Sequence, residues 1–163
     1  LGCKTVIALD NDQNRLELSK EFGADILINV NTEKDIISKI QNITKTRGVD
    51  YVIEVTGNPN VIPDGIKFLR IGGSYILLGA IYPGSKITLD SSAILTKCLN
   101  ISGMHNYAPI HLKNTIELVQ QSKEKYPYEK IVGPNFEFSK DGLEEAFNSL
   151  NSKDSLRPSI TPN

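Results

Sequence analysis

No apolar run in this chain approaches the ~20 residues that a membrane helix needs, so no membrane association is expected. No basic-then-apolar leader is visible at the N-terminus, which removes the usual sign of secretion. Cysteine is scarce. Cys3 and Cys98 stand far apart and have no CxxC or Cys/His spacing, so neither a disulfide framework nor a zinc site follows from them. They are expected to be reduced, partly buried thiols of a cytoplasmic protein. Excess charge is also lacking: the formal net charge is -1, which implies no general attraction to nucleic acid or to an anionic membrane. His105 and His111 have no acid or cysteine at ligand spacing, so no metal site is expected. No serine sits in a G-x-S-x-G elbow. The sequons at Asn42 and Asn100 are read as incidental without a leader.

What is present is the composition of an ordinary globular domain, with 39% hydrophobic and 23% charged residues in 163. Its organising stretch is Lys4–Asp12, KTVIALDND. Val6 to Leu9 form a continuous apolar run, as in a parallel strand covered on both faces, and the strand is expected over Thr5–Leu9. Asn11 or Asp12 can cap a helix to about Phe22, with Gly23 as its left-handed stop. Ile26–Val30 is the second strand. Thr32 is placed to cap the next helix, whose Ile36, Ile37, Ile40 and Ile43 recur at helical spacing. Asp50–Val55 is the third strand. Asn60–Arg70 is expected to be helical despite Pro63, and Ser74–Leu78 is the fourth strand. A short helix over Ser92–Lys97, a strand over Leu99–Ser102 and a helix from Pro109 to about Ser122 follow, the last with Ile116 and Val119 inward. Tyr126–Pro134 reads as irregular, Phe136 and Phe138 as an edge strand, and Ser139 as the cap of a final helix. Residues 152–163 read as a polar tail. Leu1–Lys4 resembles the end of a helix, as though the chain began in mid-domain. The alternation of strand and helix argues a doubly wound α/β sheet with right-handed crossovers.

Three features carry the chemistry. Asp10 ends the first strand, where a carboxylate can accept hydrogen bonds from ribose hydroxyls and would repel a 2′-phosphate, favouring NAD over NADP. As a bare position it also suits a capping acid. Arg15, in the first turn of the next helix, could reach the same ribose. Gly57 and Gly79 each follow an apolar strand, and glycine there admits close approach of a ligand to the backbone. Tyr126 and Lys130 have the Y-x-x-x-K spacing of a catalytic pair, but that pair needs one helix face and Pro127 opposes a helix.

The segments VIALDNDQNRLELSKEFGAD (Val6–Asp25), GVDYVIEVTGNP (Gly48–Pro59), LRIGGSYILLG (Leu69–Gly79), TKCLNISG (Thr96–Gly103) and FSKDGLEEAFNSLNSKDSLRP (Phe138–Pro158) together resemble the cofactor domain of medium-chain dehydrogenases of the zinc alcohol, polyol and threonine type. The resemblance implies a Rossmann-like fold that binds NAD. It implies Asp10, with Asn11 beside it, as the ribose acid, and Arg15 as the neighbouring basic residue. Val55, Thr56 and Gly57 flank the adenosine side. Leu78, Gly79 and Ala80 form the turn that meets the nicotinamide carboxamide. His105 and Asn106 supply another backbone contact, and Arg157 an arginine for the pyrophosphate.

Departures from the family pattern matter as much. Its G-x-G-x-x-G turn, which would precede Leu1, is missing, as is the catalytic domain with its Cys, His and Glu zinc ligands. The closing strand after Arg157 would be apolar, and here it reads PSITPN. The expectation is therefore a partial NAD-binding domain over 1–151, a tail over 152–163, and no catalytic zinc domain. The first strand of the family lies between Thr5–Leu9 and Tyr51–Val55, so without it the chain is expected either to close the gap by pairing those strands with each other or to be unstable. Function then reads as the cofactor-binding part of an NAD-dependent alcohol oxidoreductase, inactive alone, with zinc needed only in the absent domain. A homo-oligomer joined at the Leu99–Gly103 edge is implied. Three alternatives stand beside it. One is the zinc-independent quinone reductase branch, which Asp10 disfavours. Another is an S-adenosylmethionine-dependent methyltransferase, which would need a reversed final hairpin. The last is a non-catalytic nucleotide-binding module.

Overall fold

The structure is a computed structural model that describes residues 2–79, 82–151 and 156–162. Its strands are β1 (Ile7–Asp10), β2 (Ile26–Asn29), β3 (Val49–Glu54), β4 (Leu69–Leu77), β5 (Asn100–Gly103), β6 (Asn135–Glu137) and β7 (Ser159–Thr161). Its helices are α1 (Gln13–Glu21), α2 (Ile36–Ile43), α3 (Ile62–Phe68), α4 (Ser91–Thr96), α5 (Pro109–Ser122) and α6 (Lys140–Asn151). The order is the α/β alternation expected of a Rossmann-like fold.

The strands form three ladders: β1–β2, β3–β4–β5 and β6–β7. β3 with β4, β4 with β5, and β6 with β7 are parallel. β1 and β2 run the same way, since Val6 O accepts from Ile26 N and Asp10 O from Val30 N. Among the described residues no ladder joins β1 to β3, so the two strands do not close up on one another.

The chain gathers into two compact units, one of Leu1–Ala8, Gln13–Leu27 and Pro109–Asn163, the other of Leu9–Asp12 and Ile28–Ala108. In the second unit α3 packs on one face of the three-stranded sheet. Ile62, Ile66, Leu69 and Tyr75 form its buried cluster, with Val49, Val52, Leu77 and Ile101 against it. Each such aliphatic side chain contributes about 1.5–3 kcal/mol on burial. Gly65 is required there, because a Cβ on it would lie 2.6 Å from the Tyr75 ring. Burial lifts the Tyr75 hydroxyl pKa to about 12, with the Glu54 charge adding to it. The opposite face of β3 is open: Tyr51, Ile53 and Val55 alternate at 63%, 58% and 68% exposure. α4 returns the chain to β5, and Lys97 Nζ donates to Leu69 O (2.9 Å) and Lys67 O (3.2 Å), satisfying carbonyls at the end of α3.

In the first unit, Phe22, Tyr126 and Tyr128 meet as a ring cluster with centroids 5.7–6.2 Å apart. Lys130 pairs with Glu21 at 2.5 Å, and the Ser122 and Tyr128 hydroxyls share a hydrogen bond of 2.8 Å. These contacts tie the end of α1 to the segment after α5. β6, α6 and β7 make a small parallel crossover. Gly142 lets α6 start against Glu137 O, where any Cβ would collide, and the Ser139 hydroxyl accepts from Gly142 N at 3.1 Å.

Several expectations need correction. The cap of α2 is Asp35, whose carboxylate accepts from Ser38 N and Ser38 Oγ, and not Thr32, whose hydroxyl bonds back to Asn29 O. β4 begins at Leu69, because the chain leaves α3 extended and passes Gly72 at φ +70° within an irregular register opposite β3. Residues 2–4 carry no helix. Residues after Ser152 are not all tail: Ser159–Thr161 form β7, and the Asn135 side chain accepts from the Ser159 and Thr161 hydroxyls. Ile116 faces outward at 52% exposure. Both cysteines are free and exposed rather than partly buried. Gly23 does end α1 in the left-handed conformation, at φ +93°. No helix among the described residues is long and apolar enough to cross a membrane.

Candidate functional site at the carboxyl ends of the central strands

Parallel register brings the ends of three strands into one row. Glu54 of β3 stands opposite Leu77 of β4, and Leu77 opposite Gly103 of β5. The segments that leave this row are Val55-Thr56-Gly57, Leu78-Gly79 and Met104-His105-Asn106. Crevices outside the carboxyl ends of such strands are where open α/β sheets bind ligands.

The first two turns are interlocked. Leu78 N and Gly79 N both donate to Glu54 O, at 2.9 and 3.0 Å. Gly57 is at φ +74°, and a Cβ on it would lie 2.9 Å from Gly79 O. A Cβ on Gly79 would strike Gly57 N and lie 2.7 Å from Val55 C. The room these glycines leave is thus taken by each other's backbone, so their first role is to let the two turns cross. Val55 and Thr56 remain exposed beside them. The third turn is joined to this pair by Met104 N, which donates to Leu77 O at 3.0 Å. Asn106 is left-handed at φ +59°, a conformation that asparagine tolerates better than most residues. His105 is exposed. Ala80 lies outside the described residues.

Asp10 ends β1 half-buried. Its Oδ1 accepts from Asp12 N at 2.9 Å, an Asx turn that opens α1. Asn11 follows, and its carbonyl accepts from Asn31 Nδ2 at 3.1 Å. Arg15, half-buried on α1, and Arg157 belong to the first unit. Arg157 is exposed and its carbonyl accepts from Gly133 N at 2.7 Å. The structure therefore brings together Val55, Thr56, Gly57, Leu78 and Gly79, and sets His105 and Asn106 on the neighbouring strand end.

One residue of this row escaped the sequence reading. Glu54 is 3% exposed. Its Oε1 accepts from Thr56 N (2.6 Å), Thr56 Oγ1 (2.7 Å) and Gly57 N (2.9 Å). Burial opposes its charge, but the Thr56 hydroxyl, the Gly57 and Thr56 amides bonded to it and the nearby Gly79 amide outweigh burial and hold the carboxyl below its ordinary range. A signal was present: a carboxylate inside an otherwise apolar strand.

These parts suit an adenine dinucleotide. Main-chain turns at three strand ends offer carbonyl groups, while the amides of Thr56, Gly57, Leu78, Gly79 and Met104 are bonded within the row, and a half-buried carboxylate closes β1. Among the described residues no group of three or more His, Cys, Asp or Glu is placed to hold a metal. Lys130 is engaged by Glu21 and Tyr126 lies outside α5, so their spacing makes no catalytic pair. The β6–β7 pair is parallel, which removes the reversed hairpin that a methyltransferase would need. A surface cavity of about 470 Å³ lies in the first unit, lined by residues including Glu21, Lys123 and Tyr126. No predicted site residue lines it.

Residues 1–121 match the family model described as zinc-binding dehydrogenase. An erythritol/L-threitol dehydrogenase of Mycolicibacterium smegmatis is 33% identical over 161 residues, covering 96% of this chain and 42% of that relative. An L-threonine 3-dehydrogenase of Symbiobacterium thermophilum is 36% identical over 104 residues, covering 63% of this chain and 29% of the relative. Among solved structures, benzyl alcohol dehydrogenase from Acinetobacter calcoaceticus superposes with a TM-score of 0.86 at 27% identity, over 99% of this chain and 44% of that one. The chain thus spans less than half the length of these relatives.

Proposed function

We propose that this chain, which belongs to the zinc-binding dehydrogenase family, binds NAD along the carboxyl ends of its strands and serves an alcohol oxidoreductase. The observation that carries the reading is the row Glu54, Leu77, Gly103, from which three turns leave side by side. In this reading Asp10, with Asn11 beside it, accepts from the adenosine ribose hydroxyls, and Arg15 lies near the same sugar. Val55, Thr56 and Gly57 flank the adenosine side. Backbone groups of Leu78, Gly79, Ala80, His105 and Asn106 orient the nicotinamide carboxamide, and Arg157 pairs with the pyrophosphate. NAD, when bound, supplies the hydride acceptor, and these residues bind and orient it.

The domain assignment is a cofactor-binding region over 1–151, with β7 added beyond it. The substrate is a small alcohol or polyol, since the relatives are named for threonine, erythritol or threitol, and benzyl alcohol. Zinc would act outside these residues, and the described part has no turnover alone. The edge of β5 that pairs with no strand among the described residues would join a second copy. The protein would work in the cytoplasm, where Cys3 and Cys98 stay reduced, without nucleic acid or membrane partners.

Titration of the whole protein with NADH and NADPH, followed by nicotinamide fluorescence, tests this. Wild type is expected to favour NADH by about tenfold or more, and Asp10→Ala to lose about tenfold in NADH affinity while narrowing that preference. Equal binding of both cofactors by wild type, or an Asp10→Ala variant that binds NADH unchanged, would refute it.

A further inference from the structure

Glu54 is a buried acid, and both its main-chain carbonyl and its side chain are in use. Its main-chain carbonyl holds the turn after β4 through Leu78 N and Gly79 N. Its side-chain Oε1 holds the turn after β3 through Thr56 N, Thr56 Oγ1 and Gly57 N. One residue therefore fastens both turns that cross at Gly57 and Gly79. Tolerance at that crossing is small, because a Cβ on Gly79 would lie 2.8 Å from Thr56 N and 2.7 Å from Val55 C. Oε2 is buried and has no hydrogen-bond partner among the described residues, so the side-chain bonds of Glu54 converge on Oε1. Bonds to an ionised acceptor are shorter and about twice as strong as neutral ones, which suits a clamp on two short turns.

We propose that Glu54 is the positioning residue of the cofactor site: its carboxylate clasps Thr56 and Gly57 from the interior, fixing the turn against which the dinucleotide lies. This rests on the NAD reading above. Glu54 touches no reacting atom, and it acts through Thr56 and Gly57. Asn58 N extends the clasp by donating to Thr56 Oγ1 at 3.0 Å.

The test is a set of NADH dissociation constants for the whole protein as wild type, Glu54→Gln, Thr56→Val, Thr56→Ser and the double variant Glu54→Gln/Thr56→Val, each with its thermal midpoint. Glu54→Gln keeps the shape and removes the charge, and it is expected to weaken NADH by about tenfold. Thr56→Val should weaken it by about threefold or more, and Thr56→Ser, which restores the hydroxyl, should return it to wild type. The double variant should lose less than the product of the two single losses, because both cut the same clasp. A purely structural role would lower the thermal midpoint and leave the constant of the folded protein unchanged. The proposal is overturned by a folded Glu54→Gln with affinity within about twofold of wild type, or by single losses that simply multiply. Should Glu54→Gln not fold, a Thr56→Val that binds like Thr56→Ser overturns it equally well. Wild type that binds no NADH overturns the NAD reading itself and this role with it, a result distinct from wild-type binding with indifferent variants.

Discussion

The second unit and the first use the same helix-strand vocabulary with different results. In the second, α3 buries Ile62 at 1% and Ile66 at 5% exposure against a three-stranded sheet. In the first, α5 is twice as long, yet Ile110, Leu112 and Ile116 are half exposed, at 55%, 50% and 52%. Helical spacing of apolar residues is the same signal in both. What differs is whether an element of the same unit presents a complementary face. Periodicity reports which side of a helix is apolar, and tertiary packing decides whether that side is covered.

Substitutions sharpen this contrast, with urea unfolding of the whole protein as the measurement. Ile62→Ala should cost about 2–5 kcal/mol, since it empties a fully buried site between α3 and β4. A loss under about 1 kcal/mol would show that the cluster collapses freely. Gly65→Ala should cost about 1–3 kcal/mol by overpacking Tyr75, and Tyr75→Phe should restore little, because the clash involves ring carbons as well as the hydroxyl. In the first unit, Lys130→Ala should cost about 0.2–1 kcal/mol, the range of an exposed ion pair, and less at high salt. Ile116→Ala should fall within about 0.5 kcal/mol of wild type. If it matched Ile62→Ala, that face of α5 would be covered in solution.

The second unit also carries a buried acid, Glu54. Burial works against the Glu54 charge, but the Thr56 hydroxyl and nearby amides win, so its folded pKa lies below the ordinary 4.5. A depressed carboxyl contributes stability that is fully present above its unfolded value and is lost as pH falls through the folded one. The stability gap between wild type and Glu54→Gln should therefore be constant near neutrality and narrow in acid. A gap that widened on acidification would reverse the sign and refute the ionised clasp.

Much of this was legible in the residues. Pro109 marked the start of α5, Gly23 the end of α1, and apolar runs marked β1 to β3 and the later half of β4. Asp10, Gly57 and Gly79 were identifiable as strand-end residues. Other features depended on contacts that no pattern carries. Asp35 won the cap of α2 because Ser38 offers both an amide and a hydroxyl to its carboxylate. β7 was hidden because its pairing relies on Asn135, a residue 24 positions before Ser159. Glu54 looked like an ordinary strand residue until the donors of Thr56 and Gly57 were seen to converge on it. Gly79 looked like space left for a ligand, and it proved to be space taken by the neighbouring turn.

The most direct measurement is a crystal structure of the whole protein with NADH. The account predicts both adenosine ribose hydroxyls within hydrogen-bonding distance of the Asp10 carboxylate, and the nicotinamide carboxamide against the backbone that follows β4 and β5. A dinucleotide bound away from those strand ends, or a ribose that leaves Asp10 untouched, would contradict it.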